Sequence, residues 1–166
     1  MIDESILNKY YGKIANKLDE MIPIEWHKIS LFAEIGTGWS STAFYFLTNN
    51  NTYHWSDIFE KLSINEDIVD MRLYELNKII EELWEEFNKV NLDSWNAITF
   101  DLESNGRFKV NFNYDEPNRE MSRFEKEDIW AYRKLGIIPK SKFQKKLLKE
   151  FLEIQGEKIP EELKNV

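Results

Sequence analysis

Asp101 and Glu103 stand two apart in an alternating stretch, so in a strand both carboxylates point to one face. Two oxygen ligands so placed could hold Mg²⁺ for phosphodiester hydrolysis. That chemistry also needs a third ligand or a base, and the neighbouring residues supply none. The same pair suits the wet face of a half-buried strand, with Lys109 available for a cross-strand ion pair. His54 and Asp57 could shuttle a proton, but Ser56 between them has no strand-turn-helix context of a nucleophile. A strand end whose polar groups satisfy the next turn accounts for all three. GTGWSS has the glycines of a phosphate loop without its lysine, and a strand-like run follows it. A hairpin turn is expected there, with both glycines accepting positive φ.

The rest of the inventory is equally thin. The chain has no cysteine, which removes disulfides, thiolate nucleophiles and zinc–thiolate sites together. Its two histidines, His27 and His54, lie in separate segments with no ligand pattern around them. No catalytic set, cofactor or metal is expected, and binding is favoured over catalysis. Charge points the same way. Thirty acidic against 22 basic residues give a net charge of −8. A surface this negative repels phosphate backbones and attracts a basic partner. No direct nucleic-acid binding is expected.

The elements that would position these residues follow from periodicity. Ile6, Leu7, Tyr10, Ile14, Leu18 and Met21 recur at helical spacing, with Asp3 as cap and Pro23 past the end. Ile29, Leu31, Ala33 and Ile35 alternate as a strand, WSSTAFYFL makes a second, and TYHW makes a short edge strand. Ser63 and Glu66 form a capping box before a long helix whose stripe runs Val69, Leu73, Leu76, Ile80, Leu83, Phe87 and Val90. Asn105-Gly106 between two alternating runs signals a hairpin. Ser122 with Glu125 starts another helix that stops at Gly136, and a lysine-rich helix built on Phe143, Leu147, Leu148, Phe151 and Leu152 follows.

The order α-β-β-β-α-β-β-α-α predicts an α+β fold, a mainly antiparallel sheet with helices packed on it. Length and a 42% hydrophobic content suit one domain over 1–166. Residues 140–166 then form a basic helical extension, net +2 against −10 for the remainder, packed on the body. The start shows no secretory leader and no apolar run is long enough to cross a bilayer, so a cytoplasmic protein that meets no membrane is expected. Glu81, Glu82, Glu85 and Glu86 read either as an acidic patch or as a solvated helix face. Among six tryptophans, Trp39 and Trp55 lie near strand ends and are expected to be the exposed ones.

Several of these segments are familiar in register. IANKLDEMIPIEWHKISLFAEI, WSSTAFYF and TYHWSDIFEK, then WNAITFDLESNGRFKVNFNYDE and EDIWAYRKLGIIP, resemble the YezG-like (EsaG-like) family of bacterial immunity proteins. The resemblance spans roughly residues 6 to 139. It implies an antitoxin that binds and blocks a nuclease toxin, typically the C-terminal domain of a polymorphic toxin exported by type VII secretion. It implies no catalytic residues. A nuclease presents a basic groove to its substrate, which an acidic partner can occupy or dock beside. The expected partner is therefore a basic nuclease domain, bound 1:1 by a protein that is monomeric when free. Trp55, Asp57, Asp101, Asp115 and Glu116, at strand ends or on the wet face, are the expected partner-facing residues. The alternatives are a Mg²⁺-dependent hydrolase centred on Asp101 and Glu103, and a scaffolding module that self-associates through the last helix.

Overall fold

The computed structural model describes residues 1–55, 57–90 and 93–166; the side chain of Asp57 lies outside the described residues. The chain divides into two compact units, Met1–Pro117 and Asn118–Val166. Unit 1 contains α1 (Glu4–Met21), β1 (Lys28–Gly36), β2 (Trp39–Leu47), β3 (Tyr53–His54), α2 (Asp57–Lys61), α3 (Glu66–Lys89), β4 (Ala97–Glu103) and β5 (Phe108–Asn113). Unit 2 contains α4 (Arg123–Leu135), α5 (Lys142–Ile154) and a 3₁₀ turn, Glu161–Leu163. The fold is α+β in the expected order, with the short α2 and the final 3₁₀ turn added.

All strand pairs are antiparallel, in the spatial order β3-β2-β1-β4-β5. The period-two reading of β1 holds, because Ile29, Leu31, Ala33 and Ile35 are all buried. Phe44 and Phe46 of β2 and Ile98, Phe100 and Leu102 of β4 join them on the same sheet face. Ile14 and Leu18 of α1 and Leu76, Ile80 and Leu83 of α3 pack there, so unit 1 is a helical layer on a sheet with one apolar core between. Thr42 donates to Asn77, and Ser40 Oγ donates to Glu81 Oε1 at 2.7 Å, tying β2 to α3.

The ends of the elements are set locally. Asp3 caps α1, its carboxylate accepting from Ser5 N at 2.8 Å. Ser122 caps α4 through Glu125 N at 3.2 Å, and Gly136 closes it with φ 72°. The expected Ser63–Glu66 box is replaced. Asn65 caps α3 and accepts from Asp67 N at 2.9 Å. Ser63 instead takes φ 52° after α2, where Ile64 N donates to Phe59 O and Ser63 N to Glu60 O. That paired pattern is a Schellman closure of α2, a use of Ser63 that competes with capping. The Asn105-Gly106 hairpin is present as a three-residue loop. Gly106 has φ 90°, Gly106 N donates to Glu103 O, and Glu103 N donates to Arg107 O.

Unit 2 has its own core of Ile129, Leu148, Leu152 and Leu163. Ser141 caps α5, and Gln144 Nε2 donates to Asp128 Oδ2 at 3.1 Å across to α4. Burial raises the Asp128 carboxyl above its ordinary value, and the Gln144 bond only partly opposes this. A raised acid holds its proton more tightly folded than unfolded. The ionised side chain therefore weakens the fold as pH climbs through about 4 and beyond, and the penalty vanishes below that. Asp128→Asn keeps an acceptor for Gln144 and removes the charge. Thermal melts should show the variant above wild type at neutral pH, with the two converging as pH falls towards about 4. A constant gap would assign the effect to packing instead. Among the described residues, no helix is long and apolar enough to cross a membrane.

Candidate functional site

The five residues expected to face a partner fall in three places. Asp115 and Glu116 are exposed and consecutive, just past the end of β5. Asn113 Oδ1 accepts from Asp115 N at 2.7 Å, and the Asn96 side-chain amide donates to the Asp115 carbonyl, so the backbone beneath the two acids is held. β1 ends and β2 begins at the same end of the sheet, where Gly36 pairs with Trp39. Trp39, 49% exposed, therefore shares that sheet end with the two acids. Three strand spacings separate them, about 14 Å.

Gly36 has a reason different from the one expected. A Cβ there would meet Trp39 Nε1 at 2.4 Å, so the glycine admits the indole across the hairpin, while Gly38 supplies the positive φ of 78°.

Trp55 lies at the other side of the sheet, after edge strand β3. It is half-buried, with its ring edge-on to Phe44 at 4.3 Å, and it packs against the main core. Its expected exposure is corrected: indole area is worth more against the apolar end of β2 than in water. Asp57 opens α2, and its side chain lies outside the described residues.

Asp101 departs furthest from expectation. It is 9% exposed and accepts from Ser30 Oγ at 2.7 Å. Register sets Tyr45, Ser30, Asp101 and Lys109 in one row across β2, β1, β4 and β5. A carboxylate in β4 is flanked by strands on both sides, and Phe32 and Tyr45 add bulk to the same face of the sheet. On β4 the wet face is thus closed at Asp101 and open at Glu103, which is exposed. Among the described residues, no three His, Asp or Glu side chains are grouped to hold a metal ion.

The four glutamates of α3 also separate. Glu81 is engaged by Ser40 and Lys78, and Glu86 by Lys89, whereas Glu82 and Glu85 are exposed. Acid is nevertheless concentrated. Met1–Pro117 carries 21 acidic and 10 basic residues, net −11, whereas Asn118–Val166 carries 9 and 12, net +3. Unit 1 presents this charge around exposed apolar side chains, including Trp39, Met71, Tyr74 and Tyr114. Acidic and large apolar side chains are thus exposed together on unit 1.

Comparison with known proteins agrees in kind. A family model described as Immunity protein YezG-like matches residues 7–149. The chain belongs to that family. It is 34% identical over 161 residues to Immunity protein YezG of Bacillus spizizenii, covering 95% of this chain and 100% of that protein. Immunity protein YezG of Bacillus subtilis is 34% identical over 145 residues, with 86% and 96% covered. The type VII secretion system protein EsaG of Staphylococcus aureus is 30% identical over 153 residues, with 90% and 94% covered. The YezG-like match extends over both units and into α5, further than the segments that carried the resemblance in the sequence.

Proposed function

We propose that this immunity protein binds and neutralises a basic nuclease toxin domain, in a 1:1 complex and without catalysis of its own. Membership of the YezG-like family carries the proposal. The relative named as a type VII secretion system protein supports a toxin exported by that route. The net −11 of unit 1 supports a basic target rather than nucleic acid. The complex forms in the cytoplasm, where a producing cell must protect its own nucleic acid. Asp115 and Glu116 face the partner, with Trp39 as an aromatic neighbour at the same sheet end. Asp101 serves the sheet interior through Ser30.

Co-expression with candidate nuclease toxin domains tests this, scoring growth and co-purification together. The expected result is rescue by one toxin, with a complex whose sedimentation mass equals one copy of each chain. Rescue without a complex would point to a catalytic or indirect route. A free protein that dimerises reversibly through α5 would favour the scaffolding alternative.

A further inference from the structure

The Schellman closure of α2 does more than end a helix. By reversing the chain at Ser63, it sets α2 beside the first turns of α3 and leaves a groove of about 540 Å³ between them. Its floor is apolar: Phe59 is buried, and Ile64 and Val69 are half-buried against the core. Its rim is acidic, formed by Glu60, Glu66 and Asp70, and among the described residues no basic side chain lines it. All three rim carboxylates are exposed, and none enters an ion pair among the described residues. Glu66 has a local purpose, since an acid in the first turn answers the helix dipole. Asp70 is beyond that turn, and Glu60 belongs to a different helix. Tyr74, 61% exposed, continues the Glu66–Asp70 face by one further turn. Met71, the residue after Asp70, is 54% exposed, and Leu62, just past the end of α2, is 47% exposed.

An apolar slot ringed by unpaired acids fits a long cationic side chain. The aliphatic stem of arginine or lysine covers the floor while its charged head meets the rim. Arginine fits better, being weakly hydrated and able to bond carboxylates in a fork. A divalent ion does not fit, because the acids surround the floor rather than converging as ligands. We propose that the α2–α3 groove receives an arginine or lysine from a basic loop of the bound toxin. This rests on the toxin-binding reading above and adds the place of contact and the chemistry of the contacting residue.

The test uses the full chain and the nuclease domain selected by co-expression, with association and dissociation rates measured separately. Glu60→Lys with Asp70→Lys reverses the rim and leaves Glu66 to its helix. Glu82→Lys with Glu85→Lys makes the same charge change on exposed α3 positions outside the groove. A seated cation is desolvated, so its loss speeds dissociation, whereas distant charge acts on association. The expected result is dissociation at least about tenfold faster for the groove pair. The control pair should slow association alone, and Glu60→Gln with Asp70→Asn should fall between wild type and reversal. Melting temperatures near wild type for all variants confirm folding, because these positions are exposed. Wild-type dissociation in the groove variants overturns the groove and leaves toxin binding standing. A wild-type chain that captures no toxin removes both. A wild-type dimer lost only in the groove variants makes a second copy the occupant and overturns the assignment to the toxin.

Discussion

Phe100→Ala is expected to lower the unfolding free energy by about 3–5 kcal/mol, a large share of what a domain of this size possesses. Phe100 is fully buried on β4, next to central strand β1, and pairs in register with Leu31 on one side and Val110 on the other. Its ring is stacked on Phe108 at 5.6 Å, and Tyr11 of α1 approaches both rings. Truncation therefore opens a cavity where the sheet meets the helical layer. Secondary structure on three sides limits how far the neighbours can collapse into it. Phe108 would lose its stacking partner as well, although it is 46% exposed and holds less of the core itself. Equilibrium urea unfolding measures the shift in midpoint. Tyr114→Ala, at a 53% exposed position past the end of β5, is the control and should stay within about 0.5 kcal/mol. A Phe100 variant as stable as that control would mean the core closes around the missing ring and is looser than its burial indicates.

The core was readable because period decided it. The alternation Ile29–Leu31–Ala33–Ile35 and the stripe from Val69 to Val90 each required one buried face; the alternation received it throughout, and the stripe from Leu76 to Phe87, with Val69 and Leu73 half-buried and Val90, past the end of α3, exposed. Caps were readable where one residue had one task, as with Asp3, Ser122 and Gly136. They were misread where two local motifs competed. Ser63 could cap α3 or close α2, and five residues of helix before it were too short to show a stripe. The candidate surface was harder, since exposure depends on which strands become neighbours. Asp101 alternates as a wet-face residue should, yet Ser30 and Lys109 stand on either side of it once β4 lies between β1 and β5. Trp55 follows an edge strand but turns onto Phe44. The α2–α3 groove had almost no sequence signal. Glu60, Glu66 and Asp70 are unremarkable in the chain and meet only because Ser63 reverses it.

Association with the toxin should slow by about 10–100-fold when ionic strength rises from about 0.01 M to about 0.5 M, with dissociation changing far less. The reason is the distribution of charge in unit 1, where net −11 resides on 117 residues and acids such as Glu82, Glu85, Asp115 and Glu116 are exposed. A field of that kind guides a basic partner over tens of ångströms at low salt, and screening shortens its reach to a few. Asp115 and Glu116 should carry a visible part of it, being consecutive, exposed and held on a fixed backbone turn. Asp115→Lys with Glu116→Lys is expected to reduce the association rate about tenfold at low salt, and the difference should disappear at high salt. Stability should be nearly untouched, because neither side chain is buried. Stopped-flow association at several salt concentrations separates the outcomes. Low-salt on-rates equal to wild type remove the two acids from the interface. A flat salt profile for the wild-type chain goes further, because the excess acid of unit 1 would then play no part in capture. Recognition would rest on the apolar and aromatic side chains that unit 1 exposes beside its acids.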